Sequence, residues 1–136
     1  MSFLLDTNVV SEFRKKSPDA GAVDWIGSVR SSQLYLSVLV VGEIKQGVER
    51  LAARDPKQAA TIEDWRQRLV RGYADRIVPV SLEVAEAWGR LNAVGPLPLV
   101  DGLMAATALV HDWTFVTRNA ADVKRTGVRL LNPFFN

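Results

Sequence analysis

The sequence predicts an α/β layered domain built on a mostly parallel sheet. Five short apolar runs alternate with longer segments of helical periodicity. Several of the helical segments open on Thr, Asp or Ser, which cap free backbone amides. No repeat, low-complexity stretch or linker divides them.

Phe3–Leu5 suits a short buried strand. Thr7 can cap the helix that follows, where Val9, Val10 and Phe13 share helical spacing before Arg14-Lys15-Lys16. Ser17-Pro18-Asp19 breaks that helix and starts another, carrying Val23, Trp25, Ile26 and Val29. Residues 34–36 form the second strand. Ser37 then caps a helix over 38–53, with Val40, Val41, Ile44, Val48 and Leu51 on its apolar side. Asp55-Pro56 opens a polar helix over 56–75, lined on one face by Ile62, Trp65, Leu69 and Tyr73. The third strand, 77–80, contains Pro79, which predicts an edge position because proline donates no ladder hydrogen bond. Residues 82–93 are helical, with Val84, Ala87, Trp88 and Leu91 facing inward, and 95–98 form a loop. Residues 100–110 are nearly all apolar, the mark of a buried helix. Strands over 113–116 and 128–131 complete the sheet, separated by a short helix over 119–124. Trp65, Tyr73 and Trp88 are candidate interface aromatics, although aromatics at helical spacing belong more often to a core.

The 136 residues, 48% of them hydrophobic, fit one domain over 1–136 with a real core. Seventeen basic residues against fifteen acidic leave a net charge of only +2, so any nucleic-acid surface must come from local clustering. The absence of cysteine excludes disulfides, zinc–thiolate sites, iron–sulfur clusters and thiol nucleophiles. His111 is the only histidine, which excludes a two-histidine metal site within one chain. No basic leader precedes Phe3, and no run approaches the roughly 20 apolar residues of a membrane span. A cytoplasmic protein is the expectation.

Asp6, Glu43, Asp101 and Asp122 carry the functional signal. Each lies beside a strand-to-helix junction or near a helix start, and they come from segments far apart in the chain. In such sheets ligands collect outside the carboxyl ends of the strands, where Asp6 and Asp122 both fall. Asp101 is the only charge in its helix before His111-Asp112, and a buried helix should not begin with an unpartnered ion. Taken singly, each has an ordinary reading. Asp101 can oppose the helix dipole, Glu43 can face water, and Asn119 with Asp122 has capping-box spacing. Taken together they require a cation, because two unit charges at about 4 Å repel by roughly 4 kcal/mol at an effective dielectric near 20. Oxygen ligands without Cys or His favour Mg²⁺ or Mn²⁺ over Zn²⁺, and the reaction class this suggests is metal-assisted phosphodiester hydrolysis.

The blocks Leu4-Leu5-Asp6-Thr7-Asn8-Val9-Val10-Ser11-Glu12, Gly42-Glu43-Ile44 with Gly47, Asp101-Gly102-Leu103-Met104-Ala105-Ala106-Thr107-Ala108, and Val116-Thr117-Arg118-Asn119 with Asp122 occur in this order, with Asn132-Pro133 near the end. The chain resembles the PIN-domain ribonucleases, and within them the VapC toxins of type II toxin–antitoxin pairs. That resemblance implies a three-layer α/β/α sandwich and an Mg²⁺-dependent endoribonuclease, with Mn²⁺ as the alternative ion, leaving 5′-phosphate and 3′-hydroxyl ends. It implies Asp6, Glu43, Asp101 and Asp122 as catalytic acids, Asp6 and Asp101 as metal ligands, and Thr7 and Asn119 as supporting groups. It also implies an RNA substrate, a cognate antitoxin protein, and a homodimer that forms a larger complex with it. Val123 departs from the phenylalanine common after the last aspartate. Arg14, Lys15, Lys16 and Arg118 are candidates for meeting the RNA backbone.

Two rivals remain at this level. An aspartyl-phosphate phosphatase of the haloacid dehalogenase kind wants a second aspartate where Asn8 stands. A non-catalytic RNA- or protein-binding module on the same fold has no use for all four acids.

Overall fold

Leu4, Leu5 and Leu36 are almost wholly removed from water, and the strands that carry them form the middle of the sheet. The computed structural model describes residues 1–135. Its strands are β1 (Phe3–Leu5), β2 (Leu34–Ser37), β3 (Ile77–Val78), β4 (Thr114–Val116) and β5 (Leu130–Leu131). They lie in the order β3-β2-β1-β4-β5, and every pairing is parallel. In register, Leu4 sits between Tyr35 and Phe115. Strands covered on both faces read as unbroken apolar runs, which is why Phe3-Leu4-Leu5 shows no alternation. From β1 the chain builds β2 and β3 on one side, then returns to add β4 and β5 on the other. That reversal opens a crevice at the carboxyl ends of β1 and β4.

The helices are α1 (Thr7–Glu12), α2 (Ala20–Ser28), α3 (Val38–Ala52), α4 (Pro56–Gly72), α5 (Leu82–Val94), α6 (Leu99–His111) and α7 (Ala120–Val123). α3 pairs with α4 and α5 with α6, and together with the sheet they make an α/β/α arrangement. The apolar segment predicted to be a buried helix is α6, where Met104, Ala105, Ala106 and Ala108 are fully buried. Small residues on that helix let it lie close against its neighbours. A Cβ added at Gly102 would stand 3.1 Å from Trp88 Cδ1, so Trp88 packs between α5 and α6. Trp65, Ile62 and Leu69 pack against the main core from α4, and Tyr73 does so from just past its end, which comes at Gly72.

Asp19, Ser37 and Asp55 cap α2, α3 and α4 as their sequence positions suggest. At α1 the cap is Asp6 rather than Thr7, because Asp6 Oδ1 accepts the Thr7 amide at 2.7 Å and Thr7 is already the first helical residue. The edge strand β3 stops at Val78, where Pro79 ends its ladder. β5 is likewise shorter than predicted, because Gly127, at φ 77°, still belongs to the turn that delivers it. Among the described residues no helix is long and apolar enough to cross a membrane.

A polar bracket ties α3 to α4. Arg66 donates to both oxygens of Glu63 at 2.8 and 2.6 Å, Gln67 adds a bond at 3.0 Å, and Lys45 reaches across at 3.3 Å. These donors, Arg66 first, hold the Glu63 carboxyl well down, at about 2 against an ordinary 4.5. A depressed carboxylate contributes stability above its unfolded value and loses it as pH falls towards the folded one. Between pH 4.5 and 2, urea denaturation of the wild type should therefore lose midpoint more steeply than that of Glu63→Gln. Parallel curves would show the bracket to be inert.

Gly21, in the first turn of α2, sits under the end of the chain. A Cβ there would meet the Phe135 ring and stand 2.5 Å from the Pro133 carbonyl oxygen, which is backbone and cannot swing away. Gly21→Ala should cost about 1–3 kcal/mol. Gly89→Ala, a helical site with nothing within 4 Å, should gain roughly 0.5–1 kcal/mol. Thermal denaturation of the pair checks both signs.

Candidate active site

β1 ends at Leu5, and the next side chain stands over the crevice between β1 and β4. That residue is Asp6, only 6% exposed. Its amide continues the ladder to the Val116 carbonyl at 2.9 Å, so its backbone is fixed by the sheet before its side chain makes any contact. Oδ1 accepts the Thr7 backbone amide, and Oδ2 accepts the Thr117 hydroxyl at 2.7 Å and the Asn8 side-chain Nδ2 at 3.4 Å. Burial pushes the Asp6 carboxyl above its ordinary value. The hydrogen bonds from Thr117 and Thr7 oppose that rise, and the charges of Asp101 and Glu43 add to it.

Glu43 projects from α3, half-buried, and accepts the Thr7 hydroxyl at 2.5 Å. One threonine thus joins α1 to α3: its amide binds Asp6 and its hydroxyl binds Glu43. Asp101 lies in the first turn of α6, half-buried, where burial raises its carboxyl, followed by the charges of Asp122 and Glu43. The three acids Asp6, Glu43 and Asp101 line one open cleft of about 350 Å³, together with Thr7, Asn8, Gln46 and Asn119. The apolar cavities lined by Ala87, Leu91 and Leu109 and by Leu5, Phe13 and Trp65 carry no acid.

Asp122 is exposed on α7 and does not line this cleft, although its charge acts on Asp101. The capping box read from Asn119 and Asp122 does not form. Asn119 makes no side-chain cap, and the Asp122 amide bonds the Asn119 carbonyl at 3.0 Å instead. The Asn119 side chain consequently remains available to the cleft. His111 stands apart, stacked on Trp113 with ring centres 4.2 Å apart.

Two polar residues have clear places in this geometry that their neighbours in sequence did not announce. Thr117 follows β4 directly, is 1% exposed, donates to Asp6 and accepts the Asn119 amide at 3.0 Å. Asn8 bridges Asp6 to the loop after β4, taking the Arg118 amide on its oxygen at 3.3 Å. The signal that points to both is topological: residues just past the carboxyl ends of two adjacent parallel strands face one crevice. Gln46 joins them one turn beyond Glu43 on the same face of α3.

The oxygens available here suit a hard divalent ion. Asp6 and Asp101 are both raised by burial and by neighbouring negative charge, a strain that a cation relieves. Among the described residues, no three acids already stand gathered tightly enough to grip an ion by themselves. A magnesium ion needs fewer protein ligands than that, since it commonly keeps several waters and one or two carboxylates.

The profile of the PIN domain matches residues 3–128. The chain is 31% identical to the VapC ribonuclease Y4jK of Sinorhizobium fredii, over 96% of each chain. It is also 31% identical to the toxin FitB of Neisseria gonorrhoeae, over 96% of this chain and 97% of that one. The crystal structure of FitAcB from Neisseria gonorrhoeae superposes with a TM-score of 0.85, at 31% identity over 96% of this chain and 97% of that one. A strand order with β1 at the switch point, an acid at its carboxyl end and this agreement along nearly the whole length have one explanation: the chain belongs to the PIN-domain family.

Proposed function

We propose that the chain acts, as one domain over 1–136, as a metal-dependent endoribonuclease and as the toxin of a toxin–antitoxin pair. Its relatives named VapC ribonuclease and toxin FitB support this reading. The observation that carries it is Asp6, a buried carboxylate held by three donors and facing Asp101 and Glu43 across one cleft. Asp6 and Asp101 would hold Mg²⁺, with Mn²⁺ as a substitute. When bound, such an ion supplies positive charge against the phosphate oxygens and makes a nearby water more acidic.

The protein's own groups divide the remaining work. Thr7, Asn8 and Thr117 fix the orientation of Asp6 before substrate arrives, which removes reorganisation from the reaction. The Thr7 hydroxyl holds one oxygen of Glu43, and among the described residues no donor claims the other. Glu43 is therefore the group we assign to orient the attacking water and accept its proton. Asp122, outside the cleft lining, acts on the electrostatics of Asp101 rather than on the water. Asn119 presents a neutral amide to the scissile phosphate.

A cognate antitoxin has a surface to occupy next to this cleft. An apolar groove between α3 and α4, floored by Ile44, Val48, Ile62 and Trp65, shares Thr7 and Glu43 with the acidic site. A chain lying in it would bring a basic side chain to the acids and block RNA. Arg14 and Arg54 on the same groove suit a partner with acidic residues as well. This reading carries with it action in the cytoplasm, where RNA substrate and antitoxin would meet.

Purified protein incubated with structured RNA should make discrete cuts with Mg²⁺ or Mn²⁺ and none with excess EDTA. Asp6→Asn, Asp101→Asn and Glu43→Gln should each lower the rate at least about 100-fold, while Asp122→Asn should lose less. RNA binding without cleavage would favour the binding module, and cleavage that survives both EDTA and Asp6→Asn would remove this site from the reaction.

Charge removal should also register without any substrate. The Asp6 carboxyl is raised by folding, so its ionised form weighs against the native state once pH exceeds the unfolded value. At pH 7 without metal, Asp6→Asn should melt no lower than the wild type. Added Mg²⁺ should raise the wild-type melting temperature and leave the variant unmoved. Equal metal shifts in both would place the ion elsewhere.

A further inference from the structure

The loop between β4 and α7 carries Thr117 and Asn119 to the acidic cleft, and its middle residue faces the other way. Arg118 is exposed, yet its guanidinium lies over the Phe134 ring, 4.0 Å from the ring centre. Phe134 is buried in the main core, at 8% exposure. Beside it, Asn132 Nδ2 donates to the Arg118 carbonyl at 3.4 Å, and Asn132 Oδ1 accepts the Phe134 amide at 3.0 Å. The following residue is tied down too, since the Phe135 amide donates to Asp19 Oδ2 at 3.0 Å. Arg118 is thus gripped on its carbonyl and on its guanidinium by one short stretch of chain.

The opposite side of the loop grips the acid. The Arg118 amide donates to Asn8 Oδ1, Asn8 Nδ2 donates to Asp6, and Thr117 donates to Asp6 while receiving the Asn119 amide. A continuous line of contacts therefore runs from Phe134 through Arg118 and Asn8 to Asp6. The Arg118 charge is also turned towards acids outside the cleft. It favours ionised Glu12 and Asp19, behind their larger hydrogen bonds from Lys15 and from the Phe135 amide. A guanidinium laid against an aromatic face is poorly placed to serve an RNA phosphate.

We propose that Asn132 and Phe134 hold Arg118, and through it the loop 117–119, so that Asp6 is kept in its working orientation. Arg118 and Phe134 are positioning residues, and Arg118 is not an RNA contact. This rests on the nuclease reading above and adds a role for the Asn132-Pro133-Phe134 segment.

The test compares kcat, KM and the salt dependence of cleavage on an RNA that the wild type cuts. The variants are Arg118→Ala, Phe134→Leu and Phe134→Tyr, with each rate normalised to the folded fraction from a melting curve. Misplacement of a reacting group by a fraction of an ångström should lower kcat about tenfold in Arg118→Ala and Phe134→Leu. KM and the salt slope should stay unchanged. Phe134→Tyr, which keeps the ring face, should recover most of the loss. A higher KM and a flatter salt slope in Arg118→Ala, with Phe134→Leu silent, would make Arg118 a phosphate contact and overturn the proposal. Wild-type kcat in all three variants would overturn it as well. Failure of the wild type to cut any RNA would instead remove the nuclease reading, and this inference with it.

Discussion

Taking an ionised carboxylate out of water costs several kcal/mol unless fixed donors replace the lost solvent. Asp6 is buried at the carboxyl end of the central strand, and the structure around it supplies those donors from two separate segments. Thr7 and Asn8 come from α1, and Thr117 comes from the far side of the sheet. Thr117 does not reach Asp6 unless β1 and β4 are neighbours in parallel register, with Leu5 opposite Val116. The strand order, the capping of α1 and the loop after β4 are therefore one arrangement seen from three directions. The donors do not fully compensate, because burial and the charges of Asp101 and Glu43 still raise the carboxyl. What remains is an attraction for a cation.

The contrast with Glu12 separates two uses of a buried acid. Glu12 is as buried as Asp6, at 5% exposure, but it accepts the Asp19 amide at 2.8 Å and pairs with Lys15 at 2.9 Å. Its carboxyl is lowered, first by the Lys15 hydrogen bond. Glu12 is satisfied by its own neighbours and ties α1 to the start of α2. Asp6 and Asp101 shift the other way because burial raises both carboxyls and the neighbouring acids add to that rise. Strong perturbation of acids in a cleft is the mark expected of a functional site, and the direction of the shift distinguishes the two roles here.

Much of the fold was legible because local signals agreed with one another. Asp19, Ser37 and Asp55-Pro56 mark their helix starts, and the unbroken apolar runs of β1 and α6 announce burial. Pro79 correctly put β3 at the edge. Among the candidate site residues, Asp6, Glu43, Asp101, Thr7 and Asn119 meet in one cleft, while Asp122 stays outside its lining. The capping assignments at Thr7 and Asn119 failed in different ways. At Thr7 the preceding Asp6 takes the cap and the distant Glu43 takes the hydroxyl, while at Asn119 no side-chain cap forms. Spacing along the chain carries no information about such rivals. Thr117 and Asn8 stand in the motif blocks without an assigned role, since the importance of their contacts depends on which strands are adjacent.

Gly21 and Gly102 extend this point from polar contacts to packing. Each looks like an ordinary small residue in a helix, yet each is fixed by something that approaches from far away: the Pro133 carbonyl at one, the Trp88 indole at the other. Gly102 directly follows Asp101, so the close contact between α5 and α6 sets the position of the first turn that presents that acid. Gly21 lets the end of the chain lie against α2, where Phe134 and Asn132 meet Arg118. The cleft is therefore held from two sides by contacts that contain no charge of their own. A site assembled from mutually repelling acids needs such support, because its own electrostatics would otherwise push the elements apart.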